Sequence, residues 1–329
     1  MFRWGILSTA KIAREHLIPA IQQSGNGTVH AIASRDGDKA RALAARAGAP
    51  LAFGSYEALL ASPEIDGVYI PLPAALHVEW AVRAADAGKH VLVEKPLALD
   101  AAEIAAVIAA RGRNRVVIGE AFMVVHHPQW AKVRELVASG AIGRLRHVQG
   151  AFSYFNVDPA DIRNQPALGG GALRDIGVYP VVTTRFATGR EPARVQASIE
   201  RDPVFGTDID AAVRAAFDGF DLSFYVSTRM ALRQSMVFHG EDGFIELEAP
   251  FNAGLYGDHA VTLHDRAHAH AATFRFPAAK QYVLQVEAFV RAARGDAAAR
   301  VFSLEESVSN QKVIDAVFRA GAAGGWEAV

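Results

Sequence analysis

The sequence contains no cysteine, which excludes disulfide bridges, thiolate catalysis and cysteine-bound zinc or iron-sulfur centres together. It also lacks any uncharged apolar run of the ~18 residues that a membrane span requires. No charged and apolar leader with a cleavage site precedes Phe2-Arg3-Trp4-Gly5-Ile6-Leu7, which already reads as a strand. A cytoplasmic setting is expected. Neither sign of charge dominates, because 34 Lys and Arg face 35 Asp and Glu. With no long basic run, a nucleic-acid or anionic-membrane partner has no electrostatic support. The expected partner is a small molecule.

What is present is enough for two packed domains: 329 residues, 51% of them hydrophobic. Up to about residue 121, short apolar strands alternate with alanine-rich helices, with strands at 2–7, 28–34, near 51, 66–70, 90–94 and 115–119. Helices are expected at 11–23, 37–47, 55–61, 77–87 and 100–111. That alternation argues for a parallel, doubly wound sheet, hence an α/β domain over 1–121. Beyond Phe122 the period changes. A helix from Pro128 leads into a strand at 145–155, and seven further strands between 194 and 276 are joined in part by short turns such as Asp218-Gly219. This predicts a second, α+β domain over 122–329 with a large, mainly antiparallel sheet, closed by helices at 280–293 and 303–320. If helices cover only one face of that sheet, the other is expected to pair with a second copy of the chain.

Three segments carry chemistry. The first, Val91-Leu92-Val93-Glu94-Lys95-Pro96-Leu97, ends a buried strand with a charged pair and stops it with proline. In an open α/β sheet ligands bind beyond the carboxyl ends of the strands, so Lys95 is expected in the crevice. The alternative is an ordinary solvated lysine. The second is the first strand-turn-helix, where Ser8, Ala10 and Ala13 occupy the three small positions of the dinucleotide pattern G-x-G-x-x-G/A. Serine and alanine suffice there if the turn needs no positive φ. At the end of the second strand, Ser34 and Arg35 stand where an NAD-selective protein places a carboxylate, which points to NADP, with help from Lys39. Asp36 and Asp38 lie nearby, and NAD use stays open. The third segment sets Gly169-Gly170-Gly171 before a helix start, with Asp175 and Tyr179 four residues apart on one helical face. Asp175 as a cap and Tyr179 as a core aromatic are the structural alternatives.

Taken together, these segments with Tyr69–Pro73, Glu120-Ala121-Phe122-Met123 and His127-Pro128-Gln129 resemble the Gfo/Idh/MocA oxidoreductase family across essentially the whole chain. Within it the sequence is most similar to the branch of dihydrodiol dehydrogenase and NADP-dependent D-xylose dehydrogenase, which carries tyrosine where most members carry histidine, here Tyr179. The resemblance implies a Rossmann domain, a second domain whose open sheet pairs with its twin as a homodimer or a tetramer, and a catalytic group of Lys95, Asp175 and Tyr179. It implies cofactor contacts from Ser8, Thr9, Ala10, Ile12, Ser34, Arg35, Lys39, Pro71, Leu72, His77, Glu94 and Lys95. Substrate contacts are implied for His127, Asn156, Arg163, Asp175 and Tyr179. Departures from the family pattern are Ser8 and Ala10 in place of glycines, and Val125-His126 in place of a tyrosine-arginine pair.

The expected reaction is hydride transfer between nicotinamide and a sugar or cyclic diol, with an aldose oxidised at its anomeric carbon to the lactone. Dihydrodiol oxidation and the reduction of ketosugars or 1,5-anhydrofructose are the alternatives. Tyr179 is the expected base, its phenolate favoured by the Lys95 ammonium. A silent dinucleotide-binding sensor would more naturally have lost Lys95 or Tyr179. Because the chain starts at its first strand, with no arm to trap the nucleotide, an exchangeable cofactor is expected. For lone histidines such as His77 and His127 the structural role leads, and His264, His268 and His270 lack the companions of a metal site.

Overall fold

The structure, a computed structural model, describes residues 1–329. Two compact units are formed, residues 1–126 with 280–308, and residues 127–279 with 309–329.

In the first unit six parallel strands, β1 (Phe2–Leu7), β2 (Gly27–Ala33), β3 (Leu51–Phe53), β4 (Gly67–Ile70), β5 (His90–Val93) and β6 (Ile118–Glu120), stand in the order β3-β2-β1-β4-β5-β6. Between them run α1 (Ile18–Gln23), α2 (Gly37–Ala47), α3 (Tyr56–Leu60), α4 (His77–Asp86) and α5 (Ile104–Asn114). The two-residue strand period divides the apolar residues into two cores. Trp4, Ile6, Tyr69 and Leu92 pack on one face; Leu7, Val68, Ile70, Val91 and Val93 pack on the other. The first core also takes in Val286, Phe289 and Val290. The chain therefore returns to this unit after residue 280, and a single boundary at 121 does not describe it. The apolar stripe that draws 280–308 back is satisfied by Phe2 and Trp4, the latter's ring 5.2 Å from that of Phe289.

The second unit begins with α6 (Pro128–Ala138) and β7 (Leu145–Phe155), followed by α7 (Val178–Thr188). Strands β8 (Pro192–Arg201), β9 (Asp208–Phe217), β10 (Phe220–Ser227), β11 (Arg229–Gly240), β12 (Gly243–Leu247), β13 (Ala260–Asp265) and β14 (Ala271–Arg275) follow. The chain ends with α8 (Gln281–Ala293) in the first unit, α9 (Leu304–Ala323), which begins in the first unit and ends in the second, and a two-residue β15 (Glu327–Ala328). The nine-stranded sheet runs β14-β13-β12-β11-β7-β10-β9-β8-β15. Every pairing is antiparallel except β7 with β10, which is parallel. Along β7 and β9 alternate residues such as Gln149 and Arg214 are exposed while their neighbours are buried. One face of the sheet is thus the core face, and the other is open, with polar residues and the exposed ring of Phe155.

Candidate active site

The carboxyl ends of β1, β2, β4 and β5 lie side by side, with Leu7 opposite Ala33 and Ile70 opposite Val93 in the parallel register. Strand order reverses direction at β1, so this edge is the topological switch point at which open α/β sheets bind ligands. Ser8, Thr9, Ala10 and Ile12 follow β1 there, Ser34 and Arg35 follow β2, Pro71 and Leu72 follow β4, and Glu94 and Lys95 follow β5.

The first turn departs from expectation. Ser8 has φ 129°, so the turn does require the conformation that glycine normally supplies. Serine holds it because its Oγ accepts the Ala10 N–H at 3.1 Å. The following helix opens with a wide π turn over Ala13–Leu17, and Ala13 is fully buried against the sheet. At the end of β2, Ser34 is buried and its Oγ accepts the Asp36 N–H at 3.2 Å. Asp36 itself caps α2, accepting from the amides of Asp38 and Lys39. Those amides hold its carboxyl below the usual range. It is therefore engaged by α2, while Arg35 at the end of β2 is exposed. Lys39 does not stand free for a phosphate, since its Nζ is 3.5 Å from Asp36. The small residues of the first turn, the helix start and the committed Asp36 all fit a dinucleotide, and of the two, the phosphorylated one.

Around Lys95 the backbone is held by side chains. The Glu94 carboxylate accepts the Lys95 N–H at 3.2 Å and the Tyr69 hydroxyl. Pro96, joined to Lys95 by a cis bond, presents its carbonyl 2.7 Å from Nδ1 of His77, whose Nε2 is 2.7 Å from the Leu72 carbonyl. His77 is 1% exposed. With both ring nitrogens turned to backbone carbonyls, His77 braces the turn after β5. Burial pushes its pKa down, opposed by the two carbonyls.

In the second unit Asp175 lies in a π turn, Leu173–Gly177, and Tyr179 in the first turn of α7. Asp175 Oδ2 accepts the Tyr154 hydroxyl at 2.6 Å and Arg163 Nε at 3.0 Å. Burial, then this carboxylate, pushes the Tyr154 phenol far up, and Asp175 likewise keeps Arg163 firmly protonated. The Tyr179 ring sits among Phe152 and Phe251, centroids 5.6 and 5.4 Å away. The glycines before this helix are sterically required. A Cβ on Gly170 would lie 2.5 Å from the Arg163 carbonyl oxygen. On Gly171, whose φ is 127°, it would lie 2.0 Å from Asp208 Oδ1. Buried Asp208 accepts the Leu173 N–H at 2.6 Å and so anchors the helix start.

Two expected substrate contacts have other work. His127 is the N-cap of α6, its Nδ1 accepting the Gln129 N–H and its Nε2 3.1 Å from His259 Nδ1. Burial lowers its pKa to about 4. Asn156 donates to Asp161 and accepts from the Asp158 amide and from Asn164, which ties the 156–164 loop to itself. Tyr154 and Asp208 carry no signal in the sequence, and Tyr69 and Glu120, which lie in motifs of the family pattern, show their hydrogen-bonding roles only in the folded chain.

Residues 2–122 match an oxidoreductase family with an NAD-binding Rossmann fold, and residues 130–246 match the GFO/IDH/MocA C-terminal domain. The chain belongs to the GFO/IDH/MocA family of oxidoreductases. It is 45% identical to an uncharacterized oxidoreductase of Rhizobium meliloti over 100% of this chain and 99% of the relative. It is 38% identical to a D-xylose 1-dehydrogenase (NADP(+)) of Haloferax volcanii, covering 98% of each. Among solved structures, KijD10, a 3-ketoreductase from Actinomadura kijaniata in complex with NADP and TDP-benzene, superposes with a TM-score of 0.89 at 31% identity, over 97% of both chains.

Proposed function

We propose that this enzyme oxidises an aldose, a pentose or hexose, at its anomeric carbon to the lactone with NADP. The observation that carries the proposal is Lys95, presented on a braced turn beside the switch point. When bound, NADP supplies the hydride acceptor at its nicotinamide C4. The chain's own residues handle the proton. Tyr179 takes it from the anomeric hydroxyl, Lys95 holds the substrate oxygen and favours the phenolate, and Asp175, set by Tyr154 and Arg163, orients a sugar hydroxyl. In the reductive direction Tyr179 returns the proton. The similarity to a D-xylose dehydrogenase supports the oxidative direction, and that to a 3-ketoreductase supports ketosugar reduction as the second reading. Arg35, with Asp36 engaged in capping, supports NADP over NAD. The lack of cysteine is in keeping with a cytoplasmic setting.

Purified protein mixed with NADP or NAD and a panel of aldoses and cyclic diols, followed at the reduced nicotinamide band, tests this. Turnover of D-xylose or a hexose with NADP, faster than with NAD, is expected. Tyr179→Phe and Lys95→Ala should each lower kcat about 100-fold or more while cofactor affinity holds. Silence with every aldose, but oxidation of NADPH by a ketosugar, would move the assignment to the second reading. We further propose that the open face of the nine-stranded sheet pairs with a second copy; sedimentation at the mass of a monomer at micromolar concentration refutes it.

A further inference from the structure

We propose that Glu120 is a positioning residue for Lys95, acting through the backbone of the Lys95-Pro96-Leu97 turn. This rests on the role given to Lys95 above. Three consecutive residues of the turn are each gripped by a different ionisable side chain. Glu94 accepts the Lys95 N–H, the His77 ring meets the Pro96 carbonyl, and Glu120 Oε1 accepts the Leu97 N–H at 2.8 Å. Two of the three are anchored in turn on another segment, Glu94 by Tyr69 of β4 and His77 by the Leu72 carbonyl, and Glu120 lies beside Ser307 of α9. A lysine has four rotatable bonds, so a fixed ammonium position begins with a fixed Cα. The clamp supplies that.

Glu120 is the member whose charge changes in the working pH range. It is 4% exposed at the end of β6, and burial raises its pKa to about 7. The Ser307 hydroxyl and the Leu97 amide favour the carboxylate, Glu94 opposes it and Lys95 favours it. His126, Gln285 and Arg300 line the same small crevice from the 123–126 turn, α8 and the segment before α9. His126 is held neutral by burial, with a pKa of about 3. As a carboxylate, Glu120 accepts the Leu97 N–H through a charged oxygen and grips the turn; once protonated it still accepts, through a neutral oxygen and more weakly. The grip therefore tightens as pH rises through about 7.

The test compares wild type, Glu120→Gln, Glu120→Ala, Ser307→Ala and Lys95→Ala, with NADP and D-xylose as probes and two readouts independent of turnover. Hydrogen exchange at the Leu97 amide reports the grip directly. Infrared difference spectra report the protonated carboxyl. Glu120→Ala should speed Leu97 exchange and lower kcat by about tenfold to a hundredfold, with the NADP dissociation constant unchanged. In Glu120→Gln the neutral amide oxygen accepts the Leu97 N–H as the protonated carboxyl does, so kcat should stay at the wild-type low-pH level at every pH, while the pH step near 7 and the carboxyl band disappear. Ser307→Ala should shift both to higher pH. Unaltered Leu97 exchange in Glu120→Ala overturns the clamp, as does a pH profile of Glu120→Gln identical to wild type. If Lys95→Ala keeps full kcat while Leu97 exchange responds to Glu120→Ala, the clamp stands and the catalytic role of Lys95 fails instead.

Discussion

Ser8 illustrates what a single residue can hold against its own preference. A non-glycine at φ 129° costs on the order of 1–3 kcal/mol, offset in part by the hydroxyl that accepts the Ala10 amide. Ser8→Gly is therefore expected to stabilise the protein by about 1 kcal/mol, read as a higher urea midpoint at unchanged slope. The small-residue pattern at 8, 10 and 13 was legible in the sequence, and the positive φ was not. A sequence position carries no torsion angle, and serine is rare enough in this conformation that an ordinary turn was the natural expectation. His127 is a comparable case. For a lone histidine the structural role leads, and both its ring nitrogens meet partners within the chain, the Gln129 amide of α6 and His259.

At the scale of elements, the start of α7 depends on a close approach between glycine backbone and a buried carboxylate. Gly171→Ala puts a methyl 2.0 Å from Asp208 Oδ1 at a strained φ, and it must displace the acceptor of the Leu173 N–H. A loss on the order of 2–3 kcal/mol is expected, with faster amide exchange through 173–177 than elsewhere in the chain. Exchange unchanged in that π turn would show that Asp208 does not anchor it. The three glycines announced a tight entry to a helix, and the strand-helix alternation before residue 121 announced the parallel sheet. The parallel pairing of β7 with β10 and the two-residue β15 were not readable, because neighbours in a sheet are chosen by contacts between distant segments. The same holds for 280–308, whose apolar stripe is plain in sequence but whose partners, Phe2 and Trp4, are nearly three hundred residues away.

For the whole molecule, buried titratable groups set the pH dependence of stability. The Glu120 pKa rises from 4.5 to about 7 on folding, so its contribution is fully present below pH 4.5 and is lost as pH rises through 7. His126 and His127 behave oppositely. Their pKa values fall from 6.5 to about 3 and about 4, so their contributions are complete above pH 6.5 and vanish as the solution is acidified. Stability should peak near neutrality and decline toward pH 4, seen as a falling Tm. Relative to wild type, Glu120→Gln should gain on the order of 2 kcal/mol between pH 5 and pH 8. A constant difference between the two proteins across that range would mean that Glu120 does not change charge within it.

By itself the sequence determined what is local or periodic: an α/β first domain, a strand-rich second one, the position of Lys95 at a strand end, and the family through ordered motifs along the chain. Periods of two and 3.6 residues and the chemistry of proline and glycine act over a few residues, so they can be read without a fold. Tertiary structure alone decided which partners the polar side chains of these segments find within the chain. It turned His77, His127 and Asn156 toward backbone and neighbouring side chains. It set Tyr154 on Asp175, and it brought Glu120 and Ser307 beneath the Lys95 turn. A buried polar atom must find a partner, and that partner is supplied by packing between distant segments.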